Sequence, residues 1–134
     1  MLSENQKITT LLMFAGQAEE AMTFYASLFG DSGIEFLERY GPGYPGPVGQ
    51  VVHARFTLNG QSFMAMDSAV EQSFTFTPSI SFFVNCADEP EIDRLSAALS
   101  EGGGFLMPLD KYPFATKYAW VQDRFGVSWQ LMLV

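Results

Sequence analysis

Two runs of alternating character, Val51 to Leu58 and Gln61 to Ser68, are separated by Asn59-Gly60 alone. Asn-Gly is the preferred two-residue type I′ turn, because both central residues take positive φ and the twist of the turn matches that of the strands it joins. A turn this short sets the register on either side. Leu58 then faces Gln61, Phe56 faces Phe63 and Ala54 faces Ala65, while Thr57 faces Ser62, Arg55 faces Met64 and His53 faces Met66. The side-chain period of two sends these sets to opposite sides of the sheet. The first side is aromatic and apolar, suited to lie under a helix. The second mixes methionine with imidazole and guanidinium, which suits a ligand cavity better than a dry core.

The remaining segments surround this hairpin twice over. Ile8 to Phe14 reads as a short buried strand. From Gln17 the period changes: Ala18, Ala21, Met22, Tyr25, Leu28 and Phe29 recur at helical spacing, with Glu19, Glu20, Thr23 and Ser27 opposite. The two glutamates fall in the first turn, where the helix dipole favours them, and Gly30 stands where a C-terminal cap belongs. Gly33 to Arg39 is a strand. Gly41 to Gly49 is glycine-rich, but three prolines interrupt any amide nest and a strand follows, so it predicts a flexible loop or lid at a pocket mouth rather than a nucleotide cradle.

After a connection from Ala69 to Pro78 the order begins again. Ser79 to Val84 is a strand, and Asp88-Glu89-Pro90-Glu91 opens a helix with an Asp cap, a Glu three residues later and an early Pro. Ile92, Leu95 and Leu99 form its buried stripe, and Gly102-Gly103-Gly104 ends it. Gly103 to Met107 predicts a strand, Pro108 to Thr116 a loop, and Tyr118 to Val121 with Val127 to Val134 a closing hairpin about the turn Gln122 to Gly126. Strand, helix and three strands thus occur twice, offset by roughly seventy residues. The expectation is one α+β domain over 1–134, made of paired βαβββ modules at about 7–68 and 79–134. Each module has one sheet face covered by its helix, so curved mixed sheets can close their uncovered faces around a shared groove.

A chain of 134 residues, 48% hydrophobic, suffices for one domain with a sizeable core. Seven Lys and Arg against fifteen Asp and Glu leave a net charge of −8, which repels polyanions and argues against a nucleic-acid partner. The same charge is compatible with an acidic groove for a cationic ligand. The single Cys86 cannot form an intrachain disulfide, Glu4 to Lys7 precede only the short apolar run Leu11 to Phe14, and no run approaches the roughly 18 apolar residues of a membrane span. These features predict a cytoplasmic protein with no membrane partner.

The closing segment has the form W-V-x-D-x-F-G-V-x-W-Q-L, carried by Trp120, Val121, Asp123, Phe125, Gly126, Trp129 and Gln130. It resembles the PhnB-like branch of the vicinal oxygen chelate superfamily (glyoxalase, bleomycin resistance, extradiol dioxygenase), often labelled a 3-demethylubiquinone 3-methyltransferase domain. TTLLMF, AEEAMTFY and LNGQSFMAMD resemble it too, so the likeness covers nearly the whole chain. It implies the glyoxalase-like fold for the paired modules and, since relatives commonly pair, a homodimer. Its metal-dependent members hold a divalent ion with His, Gln or Glu from four strands; the corresponding positions here are Thr10, His53, Ser79 and Gln130. A divalent site normally needs three or four donors with carboxylate or imidazole in the majority, so this set predicts no metal and no cofactor. The methyltransferase label lacks a doubly wound nucleotide fold and its glycine fingerprint.

His53 is the only histidine, which excludes a multi-histidine site. A sheet histidine with a satisfied hydrogen bond is one account of it; the other rests on Arg55, Met64 and Met66 beside it, which together can offer an anionic or carbonyl-bearing ligand a charge-assisted hydrogen bond within an apolar wall. Alternation adds Leu12 and Phe14 beside Thr10, Ser81 and Phe83 beside Ser79, and Ser128 and Met132 beside Gln130; Trp120 is an aromatic wall. Several serines facing inward predict a polar, partly wet cavity, because a buried hydroxyl without a partner costs about 1 to 3 kcal/mol. Asp123 is explained by turn chemistry and Cys86 as an inert thiol. The sequence therefore predicts a small-molecule binder without an obligatory metal, with His53 and Arg55 as anchors and Gln130, Thr10, Ser79, Met66 and Trp120 around the ligand. The rival readings are a metal-dependent lyase, isomerase or dioxygenase, a drug-sequestering resistance protein, and a non-enzymatic interaction partner.

Overall fold

The computed structural model describes residues 6–134; Glu4 and Asn5 at the start of the polar N-terminal stretch lie outside them. The elements are β1 (Leu11–Phe14), α1 (Ala18–Leu28), β2 (Gly33–Arg39), β3 (Val51–Leu58), β4 (Gln61–Asp67), β5 (Ser81–Asn85), α2 (Glu89–Ser100), β6 (Gly104–Tyr112), β7 (Ala115–Gln122) and β8 (Ser128–Leu133). The fold is α+β, with two four-stranded mixed sheets in the orders β1-β4-β3-β2 and β5-β8-β7-β6. The βαβββ order occurs twice, and the chain divides into two compact units at Ser73/Phe74.

Each unit buries one sheet face under its helix. In unit 1, Ala18, Ala21, Met22 and Tyr25 of α1 meet a sheet face containing Leu12, Phe14, Ala54, Phe56 and Ala65, all of them buried. In unit 2, Ile92, Leu95 and Leu99 of α2 cover Ala119, Val121, Trp129 and Leu131, with Phe82 edge-on to Trp129 at 4.8 Å between ring centroids. Full burial of each large apolar side chain is worth about 1.5–3 kcal/mol. The Asn59-Gly60 turn has φ of 51° and 81°, the type I′ signature, and the β3/β4 pairs run from Leu58↔Gln61 to Ala54↔Ala65 as the short turn requires.

The two helices start differently. Asp88 caps α2, accepting from the Glu91 amide at 2.9 Å, while the Glu91 carboxylate accepts from the Ala87 amide at 2.7 Å. The Asp88 cap is the one the sequence predicts, while the Glu91 carboxylate reaches one residue beyond it, to Ala87. Gln17, at the α1 N-cap position, makes no such bond. Asp67, at the end of β4, takes over: its Oδ1 accepts from the Gly16 and Ala18 amides at 2.8 and 3.0 Å, and its Oδ2 from the Val51 amide at 2.9 Å. One buried carboxylate thus ties the start of α1 to the ends of β3 and β4, where its charge is balanced by three amides and the helix dipole.

Four expectations need correction. The first strand is Leu11–Phe14, not Ile8 to Phe14: pairing with β4 begins at Leu11↔Met64, and Ile8 is exposed. Leu12 and Phe14 lie on the helix-covered face beside Ala65 and Asp67, which leaves Leu11 and Met13 on the open face. Gly30 does not supply the left-handed residue after α1; Phe29 is extended and Asp31 takes φ of 53°. Pro108 to Thr116 is not a loop, because β6 continues to Tyr112 and only Pro113-Phe114 turn. As an edge strand with register shifts near Met107 and Asp110, β6 accommodates a residue that lacks an amide donor. The Gly41 to Gly49 segment is a loop, as its composition predicts, and its ends are joined at buried Tyr40, whose amide donates to Gln50 O at 2.8 Å and whose carbonyl accepts from the Gly49 amide at 2.9 Å. At Gly46 a Cβ would lie 2.5 Å from the Tyr40 ring, so the glycine is required by close approach.

Candidate binding faces on the two sheets

The open face of unit 1 carries Leu11 and Met13 from β1, Met64 and Met66 from β4, and His53 and Arg55 from β3. The Leu11↔Met64, Met13↔Met66 and Arg55↔Met64 pairs align these side chains across three strands. What happens to Arg55 is decided by β2. Ile34 pairs with Phe56, but the next pair is Phe36↔Arg55, so one extra residue, Glu35, is inserted in β2. Without that bulge Glu35 would stand opposite Arg55; with it, a phenyl ring does.

The Arg55 guanidinium lies 4.8 Å from the Phe36 ring centroid, and His53 is tilted against the same ring at 5.7 Å. Arg55 makes no ion pair with any described residue, and its Nε is buried without a hydrogen-bond partner among them. Glu38, opposite His53, instead accepts from the Tyr44 phenol at 3.0 Å and pushes that phenol's pKa up. The face therefore presents a cation whose charge is answered by a π system but whose donors meet no hydrogen-bond partner among the described residues.

In unit 2 the open face carries Ser81, Phe83 and Asn85 from β5, Ser128, Gln130 and Met132 from β8, and Tyr118, Trp120 and Gln122 from β7. Here the polar groups bond to one another. The Tyr118 phenol donates to Gln130 Oε1 at 2.6 Å, Gln130 Nε2 donates to Ser81 Oγ at 3.2 Å, the Ser81 and Ser128 hydroxyls are 2.7 Å apart, and the Trp120 indole donates to Ser128 Oγ at 2.8 Å. Burial, with Tyr112 adding a smaller effect, pushes the Tyr118 phenol up, so it stays a neutral donor. The register repeats that of unit 1: a shift between Phe105 and Met107 places Met107 opposite Trp120, as Phe36 stands opposite Arg55.

Of the residues predicted from sequence, His53, Arg55 and Met66 share the unit 1 face, and Gln130 and Trp120 share the unit 2 face. Thr10 and Ser79 precede β1 and β5 and are exposed; the Thr10 carbonyl accepts from the Met64 amide at 2.9 Å, and the Ser79 hydroxyl bonds to Thr77 at 2.6 Å. Tyr118 and Phe36 were missed. Alternation from Trp120 would have found Tyr118, but the bulge that brings in Phe36 leaves no local signal.

The divalent ion that this superfamily implies does not fit these donors. Unit 1 supplies one imidazole and an exposed threonine, unit 2 an amide already engaged by Tyr118 and Ser81 and an exposed serine. Among the described residues no three His, Cys, Asp or Glu side chains converge. Asp123 is structural, as its turn chemistry predicts: its carboxylate accepts from the Phe125 and Val127 amides at 2.9 and 3.0 Å and from the Trp129 indole at 3.0 Å. Burial pushes the Cys86 thiol up to about 11, which makes it unreactive near neutral pH.

The PhnB protein of Bacillus cereus is 55% identical, with a TM-score of 0.94, over 96% of this chain and 100% of that one. A Pseudomonas aeruginosa protein is 29% identical, with a TM-score of 0.81, over 96% and 98%. A glyoxylase/bleomycin resistance protein/dioxygenase domain from Frankia sp. shares the fold at a TM-score of 0.63 and 16% identity, over 96% and 91%. No curated protein matches the chain significantly. Residues 6–132 match the 3-demethylubiquinone-9 3-methyltransferase family, and the chain belongs to that family as a PhnB-like member.

Proposed function

We propose that the protein binds a small organic ligand bearing a carboxylate or similar anionic oxygen on the open face of unit 1, without an obligatory metal. The observation that carries this reading is Arg55: a half-buried cation with no described carboxylate partner, its Nε unused, and apolar Met13, Met64, Met66 and Phe36 beside it. A guanidinium in such surroundings makes strong charge-assisted bonds to an incoming anion, and His53 adds a second donor from the same strand. Literal methyl transfer is not favoured, since each unit is a four-stranded mixed sheet without the doubly wound nucleotide-binding arrangement. The reading extends to a cytoplasmic homodimer, for which exposed Phe105, Leu106 and Phe114 offer apolar surface; light scattering tests the pairing.

The test of the binding site is calorimetric titration with benzoate of the unaltered protein, Arg55→Ala and His53→Ala. Arg55→Ala should weaken binding at least about tenfold and His53→Ala less. Unchanged affinity in both variants would remove the anchors and the proposal with them. Stoichiometric divalent metal in natively purified protein, lost in His53→Ala, would favour the lyase, isomerase or dioxygenase reading instead.

A further inference from the structure

The hydrogen-bond network on the open face of unit 2 has more donors than it uses. Six polar hydrogens belong to it: one on the Trp120 indole, one on the Tyr118 phenol, two on the Gln130 amide and one on each of the Ser81 and Ser128 hydroxyls. Four hydrogen bonds join these groups, each consuming one. Two hydrogens remain. Exchanging the oxygen and nitrogen of the Gln130 amide moves the surplus to Tyr118 and Gln130 but does not change its size. With Ser128 buried and already accepting from Trp120, the orientation that avoids a buried unused hydroxyl has Ser128 donating to Ser81. The two spare hydrogens then lie on half-buried Ser81 and Gln130, whose polar atoms are 3.2 Å apart.

The neighbours of this donor pair are flat and apolar. Gln130 is flanked across the strands by Phe83 on β5 and Trp120 on β7, and Phe83 is 50% exposed. No member of the network carries a formal charge. The adjacent cation, Lys117, lies on the other parity of β7 and is held by Asp93 at 2.8 Å and Glu89 at 3.8 Å. Two neutral donors beside aromatic side chains on both neighbouring strands suit an acceptor oxygen better than an anion or a cation.

We infer that Ser81 and Gln130 form a donor site for the carbonyl oxygen of an uncharged, flat organic compound, bound between Phe83 and Trp120. This site shares with the unit 1 proposal only the premise that the open sheet faces bind small molecules. It is tested by NMR titration of the ¹⁵N-labelled full chain with acetophenone and with ethylbenzene, which has nearly the same shape and no oxygen. Acetophenone should move the Gln130 side-chain amide and Trp120 indole signals and bind roughly tenfold more tightly than ethylbenzene. Ser81→Ala and Gln130→Met should each remove most of that discrimination, and Arg55→Ala should leave it intact. Equal binding of the two compounds, or discrimination that survives both unit 2 variants, overturns the inference. Should a variant lose its dispersed spectrum, the two-compound comparison on the unaltered protein decides. Benzoate binding that is indifferent to Arg55, with acetophenone discrimination preserved, would sink the unit 1 proposal alone.

Discussion

Replacing Asp67 by Asn should destabilise the protein far more than an ordinary cap substitution. The Asp67 carboxylate is buried and receives three amides, from Gly16, Ala18 and Val51. Asn keeps one acceptor oxygen and presents an NH2 group to at least one of those amides, so one charge-assisted bond is lost and one buried donor is orphaned. A hydrogen bond to a charged group is worth about 1.5–3 kcal/mol and an orphaned buried donor costs about 1–3, so we expect a net loss of about 3–5 kcal/mol. Against a typical domain stability of about 5–15 kcal/mol, that is a large fraction. Urea denaturation followed by tryptophan fluorescence and circular dichroism measures it, with Asp88→Ala as comparison. That exposed α2 cap should cost only about 1 kcal/mol. Hydrogen exchange should also accelerate at Ala18 and Val51. An Asp67→Asn loss below about 1 kcal/mol, with those amides still protected, would refute the view that this carboxylate joins α1 to the strand bearing His53 and Arg55.

Phe36→Glu restores a carboxylate opposite Arg55 and should weaken benzoate binding at least about tenfold by internal competition; unchanged affinity in calorimetry would contradict the role given to the bulge. A Cβ on Gly103 would collide with the Gln122 carbonyl oxygen and lie 2.8 Å from the Asp123 carbonyl carbon, so Gly103→Ala should cost about 2–4 kcal/mol in urea denaturation. Because burial favours the neutral Cys86 thiol in the folded state, its contribution to stability is fully present below its ordinary value of 9.0 and is lost as pH rises toward about 11. Cys86→Ala should flatten that part of the stability profile, and native protein at pH 8 should react with iodoacetamide much more slowly than unfolded protein. A rate equal to that of the unfolded chain would show the thiol is not shielded.

Local chemistry determined much of this protein from sequence alone. Asn59-Gly60 set the β3/β4 register, Asp88 with Glu91 set the start of α2, and the doubled order of elements set the paired βαβββ arrangement. Each depends on residues a few positions apart, so each leaves a periodic or short-range signal. The placement of His53 and Arg55 beside methionine belongs to the same class, because alternation along one hairpin suffices for it. Tertiary pairing decided the rest. The face taken by β1 depends on its parallel register with β4, and the capping of α1 on a carboxylate 51 residues from Gly16. Whether Arg55 meets Glu35 or Phe36 depends on a bulge between two strands, and the donor surplus at Ser81 and Gln130 on groups contributed by β5, β7 and β8. A one-residue shift reverses the face of every following side chain, and hydrogen-bond satisfaction is a property of the assembled set, so neither is encoded at any single position in the chain.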